Sequence, residues 1–189
     1  MEEEKIIISE IRIAEQNSMV VQEGEAGPGD FYNFDNGQVL ATGDLDLDVL
    51  LLNVYREYEV YKKKRYSHSI PFTEEEKKNV LSKDKSAVLK ESICFHLLLQ
   101  KEIEEKKSFP YLMVFSRTNL SIGKDLDNFL KRMTFNQRPF FDIVLEFSRK
   151  KREGKDYFYY QKTWKEKRPS TEEEKEIALK WIEFLNKKK

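Results

Sequence analysis

Residues 44–61, DLDLDVLLLNVYREYEVY, form one unbroken β-like run with neither glycine nor proline. That is about three times the usual strand length of five to six residues. Leu45, Leu47, Val49 and Leu51 share a face with Asn53, Tyr55, Glu57, Glu59 and Tyr61. Leu50, Leu52, Val54 and Val60 share the other with Asp46, Asp48, Arg56 and Tyr58. The apolar character changes face near Leu51–Val54, which predicts a bulge or strong bend in mid-strand. A long bent strand of this kind suits a small Greek-key barrel, where one strand serves both sides.

The remaining segments are read around that strand. KIIISEIRIA (5–14) predicts a strand, Gln16–Ser18 a turn and Met19–Gln22 a further short strand. GEAGPGDF (24–31) is a structured loop, with no GxxxxGK[ST] pattern to make it a phosphate cradle. KKKRYSHSIPF (62–72) is a basic loop, Thr73-x-x-Glu76 is a capping box for a helix near 74–81, and 82–90 is again a loop. Taken together, 62–90 reads as one long connection, a length that is usually functional or mobile. ESICFHLLLQ (91–100) and PYLMVFSR (110–117) are strands joined by the charged turn EIEEKKS. Leu126, Phe129, Leu130 and Met133 recur at helical spacing and place an amphipathic helix over 121–133. Ser170-x-x-Glu173 predicts the start of a last helix to about 187, with Ile177, Trp181, Ile182 and Leu185 as its apolar stripe.

Between those helices lies PFFDIVLEFSRKKREGKDYFYYQKTWKEKR (139–168). Phe141, Ile143, Leu145 and Phe147 alternate with Asp142, Val144, Glu146 and Ser148, the period of a strand. RKKREGK is its turn, with Gly154 for a positive φ, and DYFYYQKTWK returns as the partner strand. Phe158, Tyr160, Lys162 and Trp164 face one way, and Tyr157, Tyr159, Gln161 and Thr163 the other. Strands at 45–61, 91–100, 110–117, 139–149 and 156–165, with a helix between the third and fourth, follow the order of an OB-fold. The expected class is therefore mainly β: an OB-like barrel core over 45–168, an acidic N-terminal β extension over 1–44 and a C-terminal helix over 169–189, in one domain. In an OB-fold the oligonucleotide surface is flanked by the loops joining strands 1–2 and 4–5. Here those two loops are the most basic in the chain.

Charge is uneven. The whole chain is neutral, with 34 basic and 34 acidic residues, yet residues 1–48 hold twelve acids against two bases. From Arg149 to Arg168 nine bases face three acids. Such asymmetry points to an electrostatic partner or an internal counter-surface. Cys94 is the one cysteine, so no intrachain disulfide can form and a reducing compartment is expected. With no signal peptide and no apolar run of membrane-spanning length, the expectation is a cytoplasmic chain with no membrane partner.

Three stretches, IRIAEQNSMVVQEGEAGPGDF, PYLMVFSRTNLSIGKDLDNFL and PFFDIVLEFSRKKREGKDYFYYQKTW, resemble a family of bacteriophage replication-module proteins that bind single-stranded DNA. The resemblance covers most of the chain and implies an OB-like core, a role in DNA replication or recombination, and a place in the host cytoplasm. Members with more cysteines imply a metal-binding insertion near 62–95. This chain has only Cys94 there, so no zinc site carries over, and no cofactor or catalytic residue is expected.

The candidate nucleic-acid residues are Lys62, Lys63, Lys64, Arg65 and Tyr66 in the first basic segment. In the second they are Arg149, Lys150, Lys151, Arg152, Lys155, Tyr157, Tyr159, Lys162 and Trp164. Cations meeting phosphates and rings stacking on bases are the chemistry of single-strand binding, with DNA or RNA left open. Two other readings stand beside it. One is an accessory module for replication or recombination proteins that uses the acidic N-terminus. The other is a metal-dependent nuclease built on Asp44, Asp46 and Asp48, which lack an E-x-K partner at a suitable distance. His96 and Cys94 share a strand face, but two ligands do not make a zinc site.

Overall fold

A computed structural model describes residues 8–154 and 158–187. The described elements begin with β1 (Ser9–Ile13), α1 (Met19–Gln22), β2 (Phe31–Asn33) and β3 (Val39–Ala41). Next come β4 (Leu47–Lys62), β5 (Arg65–Pro71), α2 (Glu74–Lys83), β6 (Val88–Leu99), α3 (Gln100–Glu104) and β7 (Tyr111–Ser116). After a 3-10 turn at Arg117–Asn119 follow α4 (Leu120–Phe135), β8 (Ile143–Glu153), β9 (Phe158–Pro169) and α5 (Glu172–Lys187).

The strands form one strongly curled half-barrel sheet in the order β3-β2-β1-β7-β6-β4-β8-β9, with β5 paired to β4. The last five of that order, β7-β6-β4-β8-β9, stand in the OB-like order, with α4 between the third and fourth core strands. The long strand bends where its apolar pattern changes face: the β4–β6 register shifts between Leu51 and Asn53. One edge of β4 pairs with β8 over Leu47–Leu50 and then with β5 over Glu57–Lys62. A single flat strand could not serve both partners, so the bulge is what lets β4 do so.

Two layers of side chains flank the sheet. Leu47, Val49 and Leu51 of β4 meet Phe95, Phe115, Phe147 and, from α4, Leu126, Leu130 and Met133. On the opposite face Leu50, Leu52, Leu98 and Val144 are covered by Ala178 and Leu185 of α5. Both faces are buried at this end, which explains why residues 49–52 are continuously apolar rather than alternating. Helix α4 docks closely because Gly123 lies against Phe115; a Cβ there would stand 2.5 Å from the Phe115 Cβ.

Several expectations need correction. Met19–Gln22 is a helical turn, not a strand: Val21 and Gln22 N–H both bond Ser18 O, and Val20 packs on Ala14, Ala26 and Tyr32. Four residues carry too little periodicity to tell the two apart. Strands β2 and β3 fall inside the expected N-terminal β extension, where the sequence marks neither one individually, and EIEEKKS begins inside α3. The loop expected at 62–72 is the return strand β5. Its two-residue turn is Lys63-Lys64, with φ of 48° and 66°, so the usual glycine or asparagine marker is missing. Likewise β8 continues to Glu153, which pairs with Phe158, so Arg149–Arg152 lie along a strand rather than in a turn. The α5 capping box is displaced by one residue. Thr171 Oγ1 accepts from Glu174 N at 3.3 Å and Glu174 Oε2 accepts from Thr171 N at 2.7 Å, while the Ser170 hydroxyl donates to Phe141 O. No helix among the described residues is long and apolar enough to cross a membrane.

Candidate nucleic-acid interface

The half-barrel does not close by a backbone ladder. Strand β1 pairs with β7 in parallel only over Ser9–Ile11 against Tyr111–Met113. Past that point the gap between β7 and β9 is bridged by side chains. Lys162 Nζ donates to Val114 O at 2.6 Å, and Asn119 Oδ1 accepts from Lys162 N at 2.7 Å. Glu15 Oε1 accepts from Tyr160 N at 3.4 Å, and the Tyr160 hydroxyl donates to Pro28 O at 3.2 Å. These contacts also cap backbone N–H groups that the outer edge of β9 would otherwise present to another chain.

At this seam lies a cleft of about 830 Å³. Leu112, Val114 and Ser116 of β7 line it, so it sits against a core strand that in an OB-fold carries the ligand face. One wall comes from the β4–β5 hairpin through Glu57, Glu59, Tyr61, Tyr66 and Ser69. Another comes from Tyr160 and Lys162 of β9, and a third from Glu10, Arg12 and Glu15 at β1. Phe34 and Arg117 also line it.

The rings differ in what they can do. Two cations lie close to the Tyr61 ring, with Lys90 Nζ at 4.6 Å and the Arg117 guanidinium at 5.0 Å from its centroid. Arg117 also donates to the Tyr61 hydroxyl at 2.5 Å, and it adopts a φ of 50°, a conformation that non-glycine residues rarely take. Phe34 and Tyr66 are open, 47% and 59% exposed, and the Arg12 guanidinium stacks 3.4 Å over Phe34. Burial pushes Lys162 down to about 8, against the pull of Glu10 and Glu15. It also raises Glu15, opposed by the Tyr160 N–H and by Lys162.

The expected site residues divide by position. Lys62, Lys63, Lys64, Arg65 and Tyr66 are exposed around the hairpin turn, and Lys150, Lys151 and Arg152 are exposed along the β8 arm. Arg149 is partly buried instead: its guanidinium lies over Phe31 and donates to Leu45 O and Thr42 O, pinning that loop. Lys162 is buried in the seam, and Trp164 packs on Phe129 with ring centroids 5.0 Å apart, so neither is a surface platform. Tyr159 is half-buried, and Lys155 and Tyr157 lie outside the described residues. Arg12, Phe34, Arg117 and Tyr160 also line the cleft, and the sequence alone does not single them out. The first two lie before the core and Arg117 stands in the turn after β7, so no local pattern marks them. Tyr160 alternates onto the same strand face as Lys162, and that shared face is the signal that could have found it.

Asp48 is ion-paired with Lys167 at 2.7 Å. Among the described residues no group of three or more His, Cys, Asp or Glu side chains is placed to hold a metal ion.

Comparison with protein-family models, with characterised proteins and with solved structures finds no match to this chain.

Proposed function

We propose that this protein binds single-stranded nucleic acid as a non-enzymatic partner of DNA replication or recombination. The observation that carries this reading is that each basic arm belongs to a hairpin that supplies rings to one cleft. Lys62–Arg65 surround the turn of the hairpin that supplies Tyr61 and Tyr66, while Lys150–Arg152 lie on the arm whose other strand supplies Tyr160. Phosphates run along the exposed cations, and bases turn inward toward Phe34, Tyr66 and Tyr160. Each stacked base contributes roughly 1–3 kcal/mol. The phage setting and the replication or recombination partners rest on the sequence resemblance and belong to the same proposal.

The experiment is fluorescence anisotropy with labelled single-stranded oligonucleotides of about 30 nucleotides, titrated at several salt concentrations. Affinity should fall linearly with log salt, and a duplex of the same length should bind more weakly. Absence of binding at low salt would overturn the proposal and leave the accessory interaction module as the better reading.

A further inference from the structure

The lining of the cleft does not match the charge of the arms around it. Outside are the exposed cations of the two arms. Inside stand Glu10, Glu15, Glu57 and Glu59, against Arg12, Arg117 and Lys162. A phosphate there would meet four carboxylates against three cations, of which Arg12 is already paired with Glu10 at 2.6 Å. A base edge that brings hydrogen-bond donors would be accepted by the same carboxylates.

Glu59 is the carboxylate best prepared for such a donor. Its Oε2 accepts from the Tyr61 hydroxyl at 2.6 Å, and that hydroxyl accepts from Arg117 at 2.5 Å. The chain Arg117–Tyr61–Glu59 therefore fixes the carboxylate from behind. Glu59 Oε1 takes no hydrogen bond among the described residues. Glu57, two residues away on the same strand face, is held in a comparable way by the Ser69 hydroxyl at 2.9 Å. Tyr66, the exposed ring, stands beside Tyr61 across the hairpin, with centroids 6.1 Å apart. A base stacked on Tyr66 would lie within reach of the Glu59 acceptor.

We infer that Glu59, supported by Glu57, reads the amino edge of a base in this cleft. The protein would then prefer single strands rich in amino-bearing bases over thymine or uracil. This rests on the reading of the cleft as a nucleic-acid site. The chemistry is that of donors and acceptors. Cytosine presents its N4 amino group, a donor that a carboxylate accepts well. Uracil places a carbonyl oxygen at the same position, which a carboxylate repels. The phosphates are the same for every base and stay on the outer cations.

The test compares labelled oligo-dC with oligo-dU, two strands that share a pyrimidine ring and differ in the amino-for-carbonyl exchange. Oligo-dT serves as a control for the methyl group. The native protein should bind oligo-dC about tenfold more tightly than oligo-dU, the discrimination of one good base-edge contact. In E59Q the amide oxygen can still accept from Tyr61 and so turn its amino group to the cleft, presenting a donor where the native side chain presents an acceptor. The dC-to-dU ratio should fall to about one or below. Equal native affinity for the two strands would overturn the inference while leaving single-strand binding intact. A dC preference that survives E59Q unchanged would overturn the assignment to Glu59. Failure to bind any of the three strands would overturn the cleft as a nucleic-acid site, and this inference with it.

Discussion

Lys162 shows how one side chain reports on the whole seam. Its amino group is buried, bonds Val114 O, and is held down to about 8 from an ordinary 10.5 by loss of water. A lysine with a lowered folded pKa binds its proton less well in the native state than in the unfolded one. Between about pH 8 and 10.5 the unfolded chain therefore holds more protons, and stability should rise with pH. The slope is about 1.4 kcal/mol per pH unit at most. Urea midpoints of the native protein and of K162M, followed across that window, should diverge in favour of the native protein as pH rises. A constant difference would show that the ammonium is not buried as described. Gly123 makes a second test at this scale. The Phe115 Cβ stands 2.5 Å from where a side chain would begin, so G123A must push α4 off the sheet. A destabilisation of about 1–3 kcal/mol is expected by chemical denaturation, although alanine favours helix at an unconstrained position.

Among the elements, α5 depends on its first turn. Arg168 forms two hydrogen bonds to Glu174, at 2.9 and 2.7 Å, and Glu174 closes the capping box with Thr171. The guanidinium first, and the Thr171 N–H after it, hold the Glu174 carboxyl below its ordinary value of 4.5. A carboxylate with a lowered folded pKa contributes stability above the unfolded value and loses it as pH falls through the folded one. E174Q should therefore cost about 2 kcal/mol at neutral pH, and the gap to the native protein should narrow in acid. Thermal unfolding at neutral pH and at about pH 3 checks both halves of that statement. The helix would be expected to fray from Glu172 inward, uncovering Leu50, Leu98 and Val144 beneath it.

For the whole molecule, the test belongs to charge. Lys150, Lys151 and Arg152 project from one arm without a carboxylate partner among the described ion pairs, which suits them to phosphate. Replacing all three by glutamine should reduce the slope of log affinity against log salt by about 2, at roughly 0.7 for each phosphate of a single strand that the variant no longer neutralises. An unchanged slope would remove this arm from the interface. Base preference should be untouched by the same variant, since the phosphates and the base edges are met by different residues.

What the chain alone determines is what depends on near neighbours. Alternation locates β4, β6, β7, β8 and β9, the change of apolar face locates the β4 bulge, and helical spacing locates α4 and α5. The order of those elements is enough for an OB-like arrangement. The candidate site is legible only at its rim, because a run of lysines and arginines is visible without knowing the fold. The tertiary structure decides the rest. Strand register turns Lys162 and Trp164 inward, long-range contact recruits Arg149 to the backbone of residues 42–45, and positive φ at Lys63 and Lys64 replaces a loop with a hairpin. The cleft itself lies where β1 stops pairing with β7 and β9 leaves its outer edge unpaired, so its lining comes from segments more than a hundred residues apart, such as Arg12 and Lys162. Periodicity acts over a few residues and carries no information about which distant strand edge will be left open. The pairing and curl of the whole sheet do.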